Sequence, residues 1–234
     1  MQCTPTAILG NLFNRAPSSK TRSKEALRRL LAAVEGTERG LKTSPQQLQE
    51  IKACFLELEE AGQPPATDAL LNATWRLLWT TEKVSRRRRR PAAPLSPTAQ
   101  HSPSYNYCTS HITLTSLMHV QETLFILKNA GLFGTKAGEV YQVIDAKAGS
   151  LTNVIEFPPS GAFIVDSDIQ LDNCRRAEFQ FTGARLQTAK STYTLPPLGQ
   201  GWFNTTFVDG QYRLSKDVRG DFLLIVKDGP PRKF

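Results

Sequence analysis

The three histidines of this 234-residue chain, His101, His111 and His119, all fall within residues 84–121, a stretch that holds no acidic residue. An imidazole base would have to come from that stretch, so the rest of the chain offers no Ser-His-Asp or Cys-His arrangement. Cys108 and His111 stand at a spacing that zinc ligands use, but no second pair completes a tetrahedral set, and no metal site is expected. Asp145, Glu156, Asp166, Asp168, Asp172, Asp209, Asp217 and Asp221 remain as acid–base groups. Most of them adjoin turn signals, where capping or solvation accounts for a carboxylate, and none is assigned a catalytic role. The glycine-rich GQGWF at 199–203 runs into a strand pattern rather than a helix, which is the wrong setting for a phosphate-binding loop. The four cysteines, Cys3, Cys54, Cys108 and Cys174, are widely spaced without a CxxC pair, as in a reducing compartment. No cofactor is expected.

The chain carries a formal net charge of +8, a balance that by itself suggests a polyanionic partner. Its distribution argues otherwise. Residues 1–24 contain Arg15, Lys20, Arg22 and Lys24 with no acid, and residues 84–121 contain Arg86, Arg87, Arg88, Arg89 and Arg90 with no acid. What remains is close to neutral. The arginine run lacks the helix, zinc spacing or aromatic platform of a nucleic-acid module, so no nucleic-acid partner is expected. Serine, threonine and proline dominate 84–121, and a segment of that composition cannot bury enough apolar surface to offset its ordering entropy. It is read as a disordered basic insertion, either a retained intron or a loop peculiar to this chain. Residues 1–22 have the acid-poor composition, rich in Ser, Thr and Arg, of an organelle transit peptide. No apolar run is long enough to span a bilayer, so any membrane contact is peripheral.

Two helices are expected first. Ser23 is the expected cap of a run that places Leu27, Leu30, Leu31 and Val34 on one face, ending near Gly36. Ser44, Pro45 and Gln47 supply the cap, first-turn proline and capping-box partner of a second helix carrying Leu48, Ile51, Phe55 and Leu58. After Pro65 the period changes to two. TWRLLWT (74–80) is expected to put Trp75, Leu77 and Trp79 on one side. LTNVIEF, AEFQFT, WFNTTFV, QYRLS and FLLIV follow as strands. Turn signals separate them: Ala148-Gly149, PPSG at 158–161, Asp209-Gly210 and Arg219-Gly220. Short strands joined by tight turns predict a mainly β chain, an antiparallel barrel preceded by a helical pair. Closure removes exposed edges, and about eight strands leave an interior either packed solid or sized for one small ligand.

The segments SKEALRRLLAAVEGTERGLKTSPQQLQEIKACFLELE, LLNATWRLLWTTEK, GLFGTKAGEVYQVIDAKAGSLTNVIEFPPSGAFIV and LPPLGQGWFNTTFVDGQYRLSKDVRGDFLLIVK occur in that order. Together they resemble the plastid lipid-associated proteins, or fibrillins, over residues 23–83 and 122–227. The resemblance implies an α+β, mainly β chain with a lipocalin-like barrel over 23–234, in a chloroplast at plastoglobules, thylakoids or stroma. It also implies a non-enzymatic protein that binds or organises apolar plastid lipids such as prenylquinones, carotenoids and acyl lipids. The family has no agreed catalytic residues, and none is carried over. Trp75, Trp79, Phe163, Phe179, Phe181 and Phe207 are the expected lining, and Arg213 matches the closing motif. Two other readings stand beside this one. The first is an interaction protein that coats lipid droplets or escorts a plastid lipid-synthesis enzyme, and the second is an enzyme on the same scaffold.

Overall fold

Ser44 accepts a hydrogen bond from the Gln47 amide while the Gln47 side chain accepts one from the Ser44 amide, so the expected capping box opens helix α2 (Pro45–Glu60). Helix α1 (Ser19–Val34) starts about one turn earlier than expected. Ser18 caps it, and Ser23 instead lies within the helix, buried, its hydroxyl donating to the Ser19 carbonyl. The computed structural model describes residues 18–61, 68–82, 138–172, 175–196 and 199–234. The three histidines, Cys3, Cys108, Cys174, the basic segment 84–121 and nearly all of the expected transit peptide lie outside these residues.

The two helices form a hairpin. Ala26, Leu30 and Ala33 of α1 meet Ile51, Cys54, Phe55 and Leu58 of α2, all at helical spacing. Their connection touches the sheet. Gly40, at φ +109°, brings its backbone so close to Thr80 that an added Cβ would lie 2.2 Å from the Thr80 carbonyl oxygen. Beside it, the Trp79 indole donates to the Thr43 hydroxyl at 2.9 Å. A short helix α3 (Asp68–Leu71) leads into the strands.

Among the described residues nine strands follow: β1 (Ala73–Thr80), β2 (Val140–Asp145), β3 (Ser150–Phe157), β4 (Gly161–Leu171), β5 (Arg176–Gln187), β6 (Thr192–Leu195), β7 (Gln200–Val208), β8 (Tyr212–Asp217) and β9 (Phe222–Gly229). Every pairing is antiparallel, in the order β4-β3-β2-β1-β9-β8-β7-β5-β6. A further long pairing of β4 with β5, from Ala162↔Gln187 to Leu171↔Ala177, joins the two ends into a ring of eight strands. Strand β6 stays outside the ring, paired only with Ala184–Gln187 of β5, and all four of its residues are exposed.

Alternation gives the ring two faces, and bulges decide which residues take which. Trp75 and Leu77 pack with Ile144, Leu151, Ile169 and Ile225 in the interior. The register slips between Leu77 and Trp79, so Trp79 turns outward and packs with Leu224, Leu214 and the helices. Trp75, Leu77 and Trp79 therefore do not share a side as the alternation predicts, because Leu78 is the extra residue of a bulge. A second slip between Thr205 and Phe207 does the same to β7, sending Phe207 to the helices. Phe55 joins the two layers, its ring 6.1 Å from Trp79 and edge-on to Phe222 at 5.0 Å. Burying each such aromatic contributes roughly 1.5–3 kcal/mol.

Candidate functional site in the ring interior

The Asp209-Gly210 turn sets the site. Asp209 accepts hydrogen bonds from the Gln211 and Tyr212 amides at 3.0 and 2.7 Å, and Gly210 takes φ +90°. This hairpin aligns Val208 with Arg213, and Arg213 with Ile225 of β9. Val208 and Ile225 face the interior, so Arg213 does too. Its neighbours Tyr212 and Leu214 point the other way.

Arg213 has no exposed surface. Its guanidinium carbon lies 5.0 Å from the ring centroids of both Trp75 and Phe203, at cation–π distance. Nη2 donates to Oε1 of Gln142 on β2, and Gln142 in turn donates through Nε2 to Asn153 Oδ1 on β3 at 3.2 Å. Nε and Nη1 have no hydrogen-bond partner among the described residues. The same holds for the buried hydroxyls of Ser167 on β4, Thr205 on β7 and Ser215 on β8. Register turns these three inward: Ser167 opposes Leu151, Thr205 opposes Ser215, and Ser215 is two positions from Arg213. Burial pushes the Arg213 guanidinium down to about 9, since removing water disfavours the charged form.

Arg213 forms no ion pair with a described carboxylate. The acids are engaged elsewhere. Asp145, Asp172, Asp209 and Asp217 accept turn amides, Asp166 pairs with Arg185, and Asp221 and Glu82 pair with Arg219. Asp168 is exposed. The interior therefore combines apolar walls, a cation, hydroxyls and amides. Among the described residues no group of His, Cys, Asp and Glu is placed to hold a metal ion.

Of the residues expected to line a site, Trp75 lies against Arg213, and Phe179 and Phe181 face the same space, with ring centroids 5.6 Å apart. Phe179 also approaches Phe203 at 6.3 Å, and its ring fills the place that a Cβ on Gly201 would occupy. Phe163 sits further along the interior in a small cluster with Ile155 and Phe157. Trp79 and Phe207 are not brought together with these; they belong to the core under the helices. Phe203, Gln142 and Asn153 were not among the expected residues. Phe203 could have been found by its even spacing from Phe207 in WFNTTFV, whereas nothing in the pattern marks the two amides.

The family described as PAP_fibrillin matches residues 24–100 and 115–226, passing over 101–114 within the basic segment. A probable plastid-lipid-associated protein 11, chloroplastic, of Arabidopsis thaliana is 37% identical over 206 residues, covering 87% of this chain and 79% of its own length. Plastid lipid-associated protein 2, chloroplastic, of Brassica campestris is 27% identical, covering 88% and 70%. Plastid-lipid-associated protein 6, chloroplastic, of Arabidopsis thaliana is 26% identical, covering 85% and 68%. No solved structure matches the chain. No helix among the described residues is long and apolar enough to cross a membrane. A family match across most of the chain, with relatives that are chloroplastic throughout, makes this a chloroplast protein that belongs to the plastid lipid-associated protein, or fibrillin, family.

Proposed function

We propose that the closed sheet works as a lipocalin-like barrel that takes up an apolar plastid lipid, its hydrocarbon against the aromatic and aliphatic wall and its polar end at Arg213, without catalysing a reaction on it. The observation that carries this reading is a fully buried arginine whose Nε and Nη1 have no partner among the described residues, set among apolar side chains. Buried donors are normally satisfied, and a site that holds several unsatisfied ones amid greasy walls suits an amphiphile with an acceptor at one end. The hydrocarbon would contribute roughly 25 cal/mol per Å² of apolar surface removed from water. The names of the relatives, which associate those proteins with plastid lipids, support the class of ligand. Trp75, Phe179, Phe181, Phe163 and Arg213 are the proposed lining, joined by Phe203.

The test is fluorescence. A prenylquinone or carotenoid added to the protein is expected to quench tryptophan emission saturably, and Trp75→Phe is expected to remove most of that change. A wild-type protein with no saturable change would refute the reading.

A further inference from the structure

We propose that the ligand is a single-chain amphiphile ending in one carboxylate, of the kind represented by a free fatty acid, held by the unpartnered fork of Arg213. This rests on the lipid-binding reading above and specifies its polar end. The argument begins with the geometry of the guanidinium. It carries five N–H groups arranged as two forks, one shared by Nε and Nη2 and one by Nη1 and Nη2. Gln142 takes a single hydrogen from Nη2, while Nε and Nη1 have no partner among the described residues. Whichever Nη2 hydrogen Gln142 uses, one complete two-hydrogen fork is left, and that spacing matches the two oxygens of a carboxylate. Trp75 and Phe203, each 5.0 Å from the guanidinium carbon, bear on it from two adjoining stretches of the wall and fix its position.

Charge selects among acceptors. Arg213 is wholly buried and has no anionic partner among the described residues. A quinone carbonyl or an alcohol would accept hydrogen bonds but leave the cation uncompensated, whereas one carboxylate neutralises it. A phosphomonoester, at about −1.5 to −2 near neutral pH, would bring excess charge into the same apolar space. The unpartnered hydroxyls of Ser167, Thr205 and Ser215 supply further donors for the lone pairs of a carboxylate that the fork does not reach. Around them, Leu77, Ile144, Leu151 and Ile169 offer only hydrocarbon, the right surroundings for an acyl chain and the wrong ones for a second polar group.

The experiment uses the full chain, delipidated, with three probes: oleate, oleyl alcohol and decyl-plastoquinone. Oleate is expected to bind at least tenfold more tightly than the alcohol or the quinone. Arg213→Met is expected to weaken oleate at least tenfold and leave the alcohol within twofold. Folding of the variant is checked by its thermal melt. Oleate labelled with 13C at its carboxyl gives a second readout on the wild-type protein alone, in which the bound carboxylate should stay ionised to a lower pH than free oleate. Equal affinity for oleate and the alcohol, or a bound carboxyl that titrates no lower than free oleate, overturns the carboxylate assignment while leaving lipid uptake intact. Failure of all three probes to bind overturns the lipid-binding reading, and this one with it.

Discussion

Replacing Arg213 with methionine should leave the ligand-free protein at least as stable as the wild type, an unusual outcome for a fully buried position. Burial pushes the guanidinium far below its ordinary value, down to about 9. At about 1.4 kcal/mol per unit, carrying the charge into the interior costs about 5 kcal/mol. Two aromatic rings at cation–π distance return about 1 kcal/mol each, and the charged hydrogen bond to Gln142 about 2 kcal/mol. The balance is about 1 kcal/mol against the arginine, which methionine relieves while filling much of the same volume. Urea denaturation should show Arg213→Met between neutral and about 1 kcal/mol more stable, with the melting temperature raised by up to about 4 °C. The pH dependence has a definite sign. The folded value lies below the unfolded one for a base, so the penalty is complete below about pH 9 and fades as pH rises above it. The advantage of the variant should shrink over that window. A loss of 3 kcal/mol or more, of the size seen when a core leucine is cut to alanine, would refute the reasoning, because it would mean that the protein itself satisfies this cation.

Gly40→Ala should cost about 3 kcal/mol or more by urea denaturation, since it combines φ +109° with a Cβ 2.2 Å from the Thr80 oxygen. Gly210→Ala, at φ +90° with nothing within 4 Å, should cost only about 1–2 kcal/mol of backbone strain. Cys54 is fully buried and burial raises its thiol above the usual value, so in a Cys3, Cys108 and Cys174 to serine background a disulfide reagent at pH 8 should label it only on unfolding. Rapid labelling of the native protein would contradict the packing. Arg219→Ala should cost about 3 kcal/mol, because Arg219 holds Glu82, which is only 4% exposed, together with Asp217 and Asp221; a loss under 1 kcal/mol would show that cluster to be dispensable.

Local signals were the readable part of the fold. The α2 capping box, the Asp209-Gly210 hairpin and the alternation in AEFQFT each depend on residues a few positions apart, and each is realised as read. The α1 start was misplaced because both Ser18 and Ser23 can cap and only tertiary packing makes Ser23 interior. Pairing of β4 with β5 closes the ring, but the preceding sheet order depends on contacts across the whole chain, which short-range patterns do not encode. The site was legible in part. Its aromatic residues stood out, but two bulges reassigned Trp79 and Phe207 to the helices. Arg213 was harder to see as interior because Tyr212-Arg213-Leu214-Ser215 alternates with its apolar residues on the opposite face, which the helical hairpin covers at Leu214, so the pattern points Arg213 outward. Gln142 and Asn153 gain meaning only from a cation three and four strands away, respectively, in the sheet order.

The slips at Leu78 and Thr206 make residue count, rather than residue choice, the guardian of sidedness in β1 and β7. Deleting either extra residue would set Trp79 directly after Leu77, or Phe207 directly after Thr205, and leave the aromatic beneath the helical hairpin on the rung it already occupies. A one-residue loss elsewhere in the strand would instead reverse the faces of the residues on one side of it. One-residue gaps at these two places should therefore be better tolerated among sequences of this architecture than gaps elsewhere in the same strands.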